Sequence, residues 1–343
     1  MKKVMLCFIT LTALSGGALL AQPQPTKEST AKTADTSPHT VQLVTVDKGV
    51  KLEVLDWGGS GRPLVFLAGL GNTAHIFDDF APKFIATNHV YAITRRGFGA
   101  SSAPAPVNGN YSANRLGDDV LAVIDALKLK QPVLVGHSIA GEELSSIGSR
   151  YPDKVAGLIY LDAGYSYAYY NASRGDLFID SVELKKKLDQ LMSGAGPREI
   201  KPLVQELLQT NLPQFEKDLH TLQKQLQSLP EPKPGTSSSK PPQMPPIGLA
   251  ILRGQEKYTQ IKCPVLAIFA DPHNFGSMFK NDPAARAAAE AMDRDRTTAQ
   301  EKAFQAGIPS AHVILLPDAN HFVFKSNEAD VFRDMNAFLA ALP

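Results

Sequence analysis

The sequence predicts an α/β architecture, a mostly parallel sheet with helices on both faces, and three patterns carry that prediction. Short β-branched apolar runs recur at Leu64–Leu67, Val90–Ile93, Val133–Val135, Val155–Leu161, Val265–Phe269 and Val313–Leu316. Nearly continuous apolar runs of this length are how parallel strands covered on both faces read. Helical patterns lie between them: Leu116–Leu127 before the Val133 run, Leu144–Tyr151 after it, and Val331, Met335, Phe338 and Leu342 at helical spacing near the end. Alternation of strand and helix is the signature of a doubly covered parallel sheet. Val41–Val46 and Leu52–Leu55 instead alternate as a half-buried antiparallel pair does.

One segment breaks the rhythm. Between Tyr165 and Tyr258 no strand stands out, but Phe215, Leu219, Leu222, Leu226 and Leu229 fall at alternating steps of four and three, and Leu184, Leu188 and Leu191 behave similarly. These predict amphipathic helices, followed by a loop over the Pro- and Ser-rich PEPKPGTSSSKPPQMPP. The expected organisation is a core of 41–164 and 259–343 with a helical cap, 165–258, inserted between late strands. Such insertions lie beside the sheet edge where these folds bind ligands.

The first residues read as an address. Lys2 and Lys3, an apolar stretch to Leu20 and the small Ala21 predict a signal peptide over 1–21. The apolar run is at the short edge of the roughly 17 to 25 residues that span a bilayer, and Gly16-Gly17 weaken it, so no stable membrane anchor is expected after cleavage. QPQPTKESTAKTADTSPHT, 22–40, has almost nothing to bury and predicts a disordered linker. The expected location is secreted or periplasmic. Removal of the leader takes Lys2, Lys3 and Cys7 with it, leaving Cys263 alone.

Composition excludes several classes of function. With 35 Lys+Arg against 34 Asp+Glu, bulk charge proposes no nucleic-acid partner. The 2 cysteines cannot build a disulfide scaffold or a four-cysteine zinc site, and no metal-ligand spacing, phosphate loop or dinucleotide fingerprint is present. No cofactor and no metal are expected, and the partner is a small molecule.

The chemistry concentrates in Val133-Leu134-Val135-Gly136-His137-Ser138-Ile139-Ala140-Gly141, which runs from a buried strand into a helix. A serine on so sharp a turn needs small neighbours two residues to either side, and Gly136 and Ala140 supply them. Glu142 and Glu143 then read as favourable charges in the first helical turn. Two further motifs follow the same logic: Ala68-Gly69-Leu70-Gly71 after the Leu64 run, and Thr94-Arg95-Arg96-Gly97-Phe98-Gly99-Ala100-Ser101 after the Val90 run.

Together these residues resemble the α/β-hydrolase superfamily, in its capped, serine-esterase-like branch. The likeness covers nearly everything from residue 41 onward except the cap. Ala140 stands for the second glycine of G-x-S-x-G, Ala68 for the histidine of the family's His-Gly-x-x oxyanion loop, and Thr94 for the aspartate of its D-x-R-G-x-G-x-S turn. The resemblance implies an α/β-hydrolase fold and a Ser-His-Asp triad in that chain order.

Ser138 would be the nucleophile, and His321, in Pro317-Asp318-Ala319-Asn320-His321-Phe322 past the last strand, its base. For the acid, Asp271 at the end of the Val265 strand is favoured, with Asp162 at the end of the preceding strand as its rival and Asp318 as a third candidate. The backbone N–H groups of Leu70 and Ile139 would form the oxyanion hole. His137 points the wrong way from an elbow, and His273 and His312 read as ordinary loop and strand residues. His75 is a capping or pocket-wall candidate. Tyr165, Tyr167 and Tyr169 would share one face if extended and could line the pocket, although packing the cap onto the core is the commoner use of such a cluster.

A serine nucleophile argues against dehalogenase and epoxide hydrolase chemistry, for which family relatives use Asp. It leaves carboxylesterase, lactonase, carbon-carbon bond hydrolase, aminopeptidase of the proline iminopeptidase type and cofactor-free perhydrolase open, with a non-catalytic binding module as the remote alternative. A carboxylesterase acting on small to medium ester substrates is the expected activity.

Overall fold

The computed structural model describes residues 38–194, 196–228, 244–279 and 282–343. The predicted leader, most of the linker, and most of the Pro- and Ser-rich loop lie outside the described residues.

The apolar runs pair into one eight-stranded sheet. Its strands are β1 (Thr40–Asp47), β2 (Val50–Gly58), β3 (Arg62–Leu67), β4 (Asn88–Ile93), β5 (Val133–His137), β6 (Gly157–Leu161), β7 (Val265–Ala270) and β8 (Ala311–Leu316). The order across the sheet is β1-β2-β4-β3-β5-β6-β7-β8. From β4 to β8 every neighbour is parallel, while β2 is antiparallel to both β1 and β4.

Alternate residues of each strand feed the two faces. Val65, Leu67, Leu134, Ala267 and Phe269 pack on one side against Leu116, Val120 and Ile124 of α1 (Ala113–Ala126) and Leu144 and Ile147 of α2 (Gly141–Arg150). Leu64, Phe66, Val135 and Ile268 pack on the other, against Phe77, Phe80 and Phe84 from two short turns after β3 and against the chain's last helix. Phe66 lies 5.0, 6.2 and 6.0 Å, ring to ring, from these three phenylalanines. Both faces are therefore closed, and polar chemistry is left to the strand ends.

Between β6 and β7 come α3 (Leu177–Leu191), α4 (Pro197–Glu206), α5 (Leu212–Ser228) and α6 (Pro246–Leu252). The Asp176 carboxylate starts α3 by accepting from the N–H groups of Phe178 and Ile179, both at 3.1 Å. The apolar periodicity is helical as expected, but it is only partly spent on packing: Leu188, Leu219 and Leu226 are exposed, while Ile179 of α3 and Ile251 of α6 are buried. Among the described residues no helix is long and apolar enough to cross a membrane.

Between β7 and β8 lies α7 (Pro283–Gly307), an unexpected helix of 25 residues. Its inward face carries Asp293, Thr297, Gln300 and Glu301 beside Ala303 and Phe304, all buried. A short α8 (Val323–Ser326) and α9 (Glu328–Ala341) close the chain.

Candidate active site

Ser138 sits where β5 ends and α2 is about to begin, with φ of +55°, a left-handed conformation that costs a non-glycine residue energy and is held by its surroundings. The neighbours show why they must be small. A Cβ on Gly136 would come within 2.9 Å of Leu144, and one on Gly141 within 2.0 Å of the Ala163 carbonyl. Gly141, one position beyond the motif, thus meets the close approach, and Ala140 is accommodated.

The loop after β3 abuts the serine. A Cβ on Gly69 would stand 3.1 Å from Ser138 Cβ and 2.9 Å from His137 Nδ1, so Leu70 follows a residue in contact with the nucleophile. Arg95 ties this loop to α2: Nε and Nη2 donate to the two Glu143 carboxylate oxygens at 2.6 and 2.8 Å, and Nη2 also donates to the Ala68 carbonyl at 3.0 Å. Both partners are buried, and although burial works against the guanidinium charge, Glu143 more than offsets it. Arg96 makes a second buried pair, with Asp119 at 2.5 Å on both oxygens. Glu143 is therefore a fixed ion-pair partner rather than a solvated charge at a helix start. Glu142 is also fully buried, and burial, then its neighbour Glu143, pushes its carboxyl well above the usual carboxylate range.

His321, past β8, directs Nε2 at Ser138 Oγ at 2.9 Å and donates from Nδ1 to Asp162 Oδ2 at 2.6 Å. That leaves the Nε2 lone pair facing the serine hydroxyl. His137 sits one residue before the serine and donates from Nε2 to the His321 backbone carbonyl at 2.9 Å, with the two rings 4.7 Å apart. Burial, then the nearby His321, lowers its pKa to about 3, so it is a neutral spacer that holds His321's backbone. Set aside in the sequence as pointing the wrong way from the elbow, His137 in the structure supports the base through its backbone.

The acid differs from expectation. Asp271 was the favoured partner of His321, and the structure instead brings Asp162 to it. Asp162 directly follows β6 with φ of +46°, fully buried. Its Oδ1 accepts from the Tyr165 hydroxyl at 2.8 Å and from Ala270 N–H at 3.2 Å; its Oδ2 accepts from His321 and from His273 Nε2 at 2.7 Å. Burial alone would raise its pKa, yet the charge and hydrogen bond of His273 and the bond from His321 hold it well below the usual carboxylate range. Asp271 interacts instead with Glu301 of α7, and its buried Oδ1 finds no donor. Asp318, the third candidate, stands exposed before the turn that carries His321.

The tyrosines do not line one face, because Tyr165 to Tyr169 form a turn closed by the Ala168 and Tyr169 N–H groups on the Tyr165 carbonyl. Tyr165 serves Asp162; the buried Tyr167 hydroxyl is in hydrogen-bonding reach of Ser138; the Tyr169 ring lies against Phe304. His75 is anchored on Asp78 at 3.0 Å and lies 5.4 Å, ring to ring, from His39.

His273 is the residue the sequence concealed. Its Nδ1 faces Asp293 Oδ2 at 2.8 Å, and Asp293 also receives Arg296 Nη2 at 2.7 Å. Asp162, His273 and His321 gather ligand-type atoms within 4.8 Å of one another, a grouping that could hold a metal ion; the short hydrogen bonds among these three residues already account for it.

The family model for the alpha/beta hydrolase family matches residues 64–334. The chain belongs to that family. It is similar to 2-(acetamidomethylene)succinate hydrolase of Mesorhizobium japonicum, 28% identical over 104 residues, which cover 30% of this chain and 36% of that protein. It is also 32% identical over 123 residues to a bifunctional esterase/perhydrolase of Acinetobacter calcoaceticus, covering 35% of this chain and 44% of that one. The matched stretches thus span under half the length of these curated relatives. The crystal structure of E-2-(acetamidomethylene)succinate hydrolase superposes with a TM-score of 0.52 at 19% identity, covering 88% of this chain and all of that one, which speaks to the fold.

Proposed function

We propose that the protein is a serine hydrolase that cleaves the acyl bond of a small to medium carboxylic ester through an acyl-enzyme. The observation that carries this reading is the continuous line Ser138–His321–Asp162, with hydrogen bonds of 2.9 and 2.6 Å on a strained elbow. His321 Nε2 takes the hydroxyl proton as Ser138 Oγ attacks the carbonyl carbon. The backbone N–H groups of Ile139 and Leu70 receive the oxyanion, and Asp162 stabilises the imidazolium that forms. His321 returns the proton to the departing alkoxide, and water, activated by the same nitrogen, releases the acid and restores Ser138. Membership of the family, and likeness to a protein named an esterase/perhydrolase, support this class of chemistry.

Loss of oxyanion donors costs about 10²- to 10³-fold in rate, so side-chain changes at Leu70 should be mild and changes that displace its backbone severe. The test is a panel of acyl esters of graded chain length, with aryl esters and aminoacyl amides, assayed beside labelling by a serine-directed phosphonate. Ester turnover and labelling, both abolished in Ser138→Ala, are expected. A Ser138→Ala protein that stays labelled and active would overturn the assignment. We also propose export through residues 1–21, which sequencing the mature N-terminus would check.

A further inference from the structure

We infer that His273 is a positioning residue: a resident imidazolium that shares Asp162 with His321 and thereby sets the pH at which His321 takes up a proton. The inference rests on the reading of His321 as the base, but its geometry is separate. Both ring nitrogens of His273 face carboxylates, Asp162 at 2.7 Å and Asp293 at 2.8 Å, and all three side chains are buried. A neutral imidazole can donate from one nitrogen only; its other lone pair would then point at a carboxylate oxygen. Two donors are needed, so the ring is cationic unless a carboxyl is protonated.

Asp162 is the wrong group to carry that proton, since Oδ1 already accepts from the Tyr165 hydroxyl and Ala270 N–H. Asp293 is no better, since Arg296 donates to its other oxygen. Burial opposes the His273 charge, but Asp162 and then Asp293 outweigh it, raising its pKa to about 10.

The charged and titratable groups facing this pair come from every neighbouring element: Asp162 just past β6, Tyr165 and Tyr167 after it, His137 from β5, Asp271 past β7 paired with Glu301 of α7, which also feels the Asp162 charge, Asp293 and Arg296 from α7, and Lys325 from α8 through its field on His137. Beyond His321, the side chains of Asp162, His273, Asp293 and Arg296 form a row in which negative and positive groups alternate. Asp162 therefore gives His321 an oriented acceptor at less than a full unit of negative field. The His273 and His321 rings are 6.3 Å apart. A unit charge at that distance, at an effective dielectric of about 20, is worth roughly two pH units.

The test is titration of the whole protein labelled with ¹⁵N-histidine, as wild type and as His273→Gln, with His321 assigned from His321→Gln. In the wild type both His273 nitrogens should stay protonated through pH 8. In His273→Gln the His321 titration should move up by about one to two pH units, and the acid limb of kcat/KM for a p-nitrophenyl ester should move with it. A wild-type His273 that is neutral at pH 7, or a His321 titration that does not move in the variant, would overturn the inference. If His273→Gln does not fold, the wild-type protonation state decides alone. Absence of ester turnover and of phosphonate labelling in the wild type would sink the hydrolase reading, while the titration would still judge the role of His273.

Discussion

Two aspartates stand at the same sheet edge, at the ends of neighbouring strands, and their surroundings could hardly differ more. Asp162, directly after β6, has a donor for every direction in which its oxygens point: a tyrosine hydroxyl, a backbone N–H and two histidines. Asp271, just past β7, has one oxygen buried without a donor and a second carboxyl, Glu301, beside it. Hydrogen bonds to a charged group contribute about 1.5 to 3 kcal/mol each, so the donors gathered at the first site hold a carboxylate there, while one oxygen of the second has none. Strand position alone does not make a catalytic acid; the donors brought to it do.

That contrast can be broken experimentally, and the largest expected effect is at Asp162 itself. Asp162→Asn should lower kcat on an ester by about 10⁴-fold, the size expected when a catalytic histidine loses the partner that fixes its tautomer, whereas Asp271→Asn should stay within about tenfold of wild type. Comparable losses in both would erase the distinction.

Next comes Arg95, which joins the Ala68 carbonyl to Glu143. Arg95→Met leaves a buried carboxylate unpaired and should cost about 3–5 kcal/mol of stability. Because the Leu70 loop is released as well, kcat should fall more than KM rises, which thermal unfolding and steady-state kinetics can separate.

The pH dependence of stability sharpens the comparison further. His137 has its pKa lowered to about 3 in the folded protein. The stability this neutral ring contributes is present above about pH 6.5 and is lost as pH falls toward 3, where the unfolded chain binds the proton first. His137→Asn should therefore lose less stability than wild type between pH 7 and 4, as read by denaturant unfolding at each pH.

The smallest effect is expected at Glu301. Burial, then Asp271, raises its carboxyl to about 7. A group raised in the folded state stabilises most below its unfolded value near 4.5 and loses that contribution as pH rises through 7. Glu301→Gln should raise the melting temperature at pH 8, by the equivalent of about 1 kcal/mol, and change it little at pH 4. No gain at pH 8 would mean that the pair is not a repulsive one.

What could be read from the sequence follows the range of the forces involved. The eight strands, the elbow at Ser138 and the position of His321 are local signals: apolar runs, small residues around a serine, a histidine past the last strand. The choice of Asp162 over Asp271 depends on His273 and on Tyr165, whose hydroxyl reaches back three residues through a turn, and neither contact leaves a periodic trace. Helix α7 was missed because its buried face is polar, so Asp293, Thr297, Gln300 and Glu301 hide the apolar stripe that would reveal a helix. The cap was readable as helices, but not the divergence of its tyrosines, since a turn replaced the extended chain that would have aligned them.

The central claim is that Asp162, not Asp271, receives the His321 Nδ1 proton. Proton NMR of the imidazole N–H region, which needs no substrate, addresses it most directly. The short His321–Asp162 bond predicts a strongly downfield proton that disappears in His321→Gln and Asp162→Asn and persists in Asp271→Asn. A resonance that survives in Asp162→Asn and vanishes in Asp271→Asn would contradict the account.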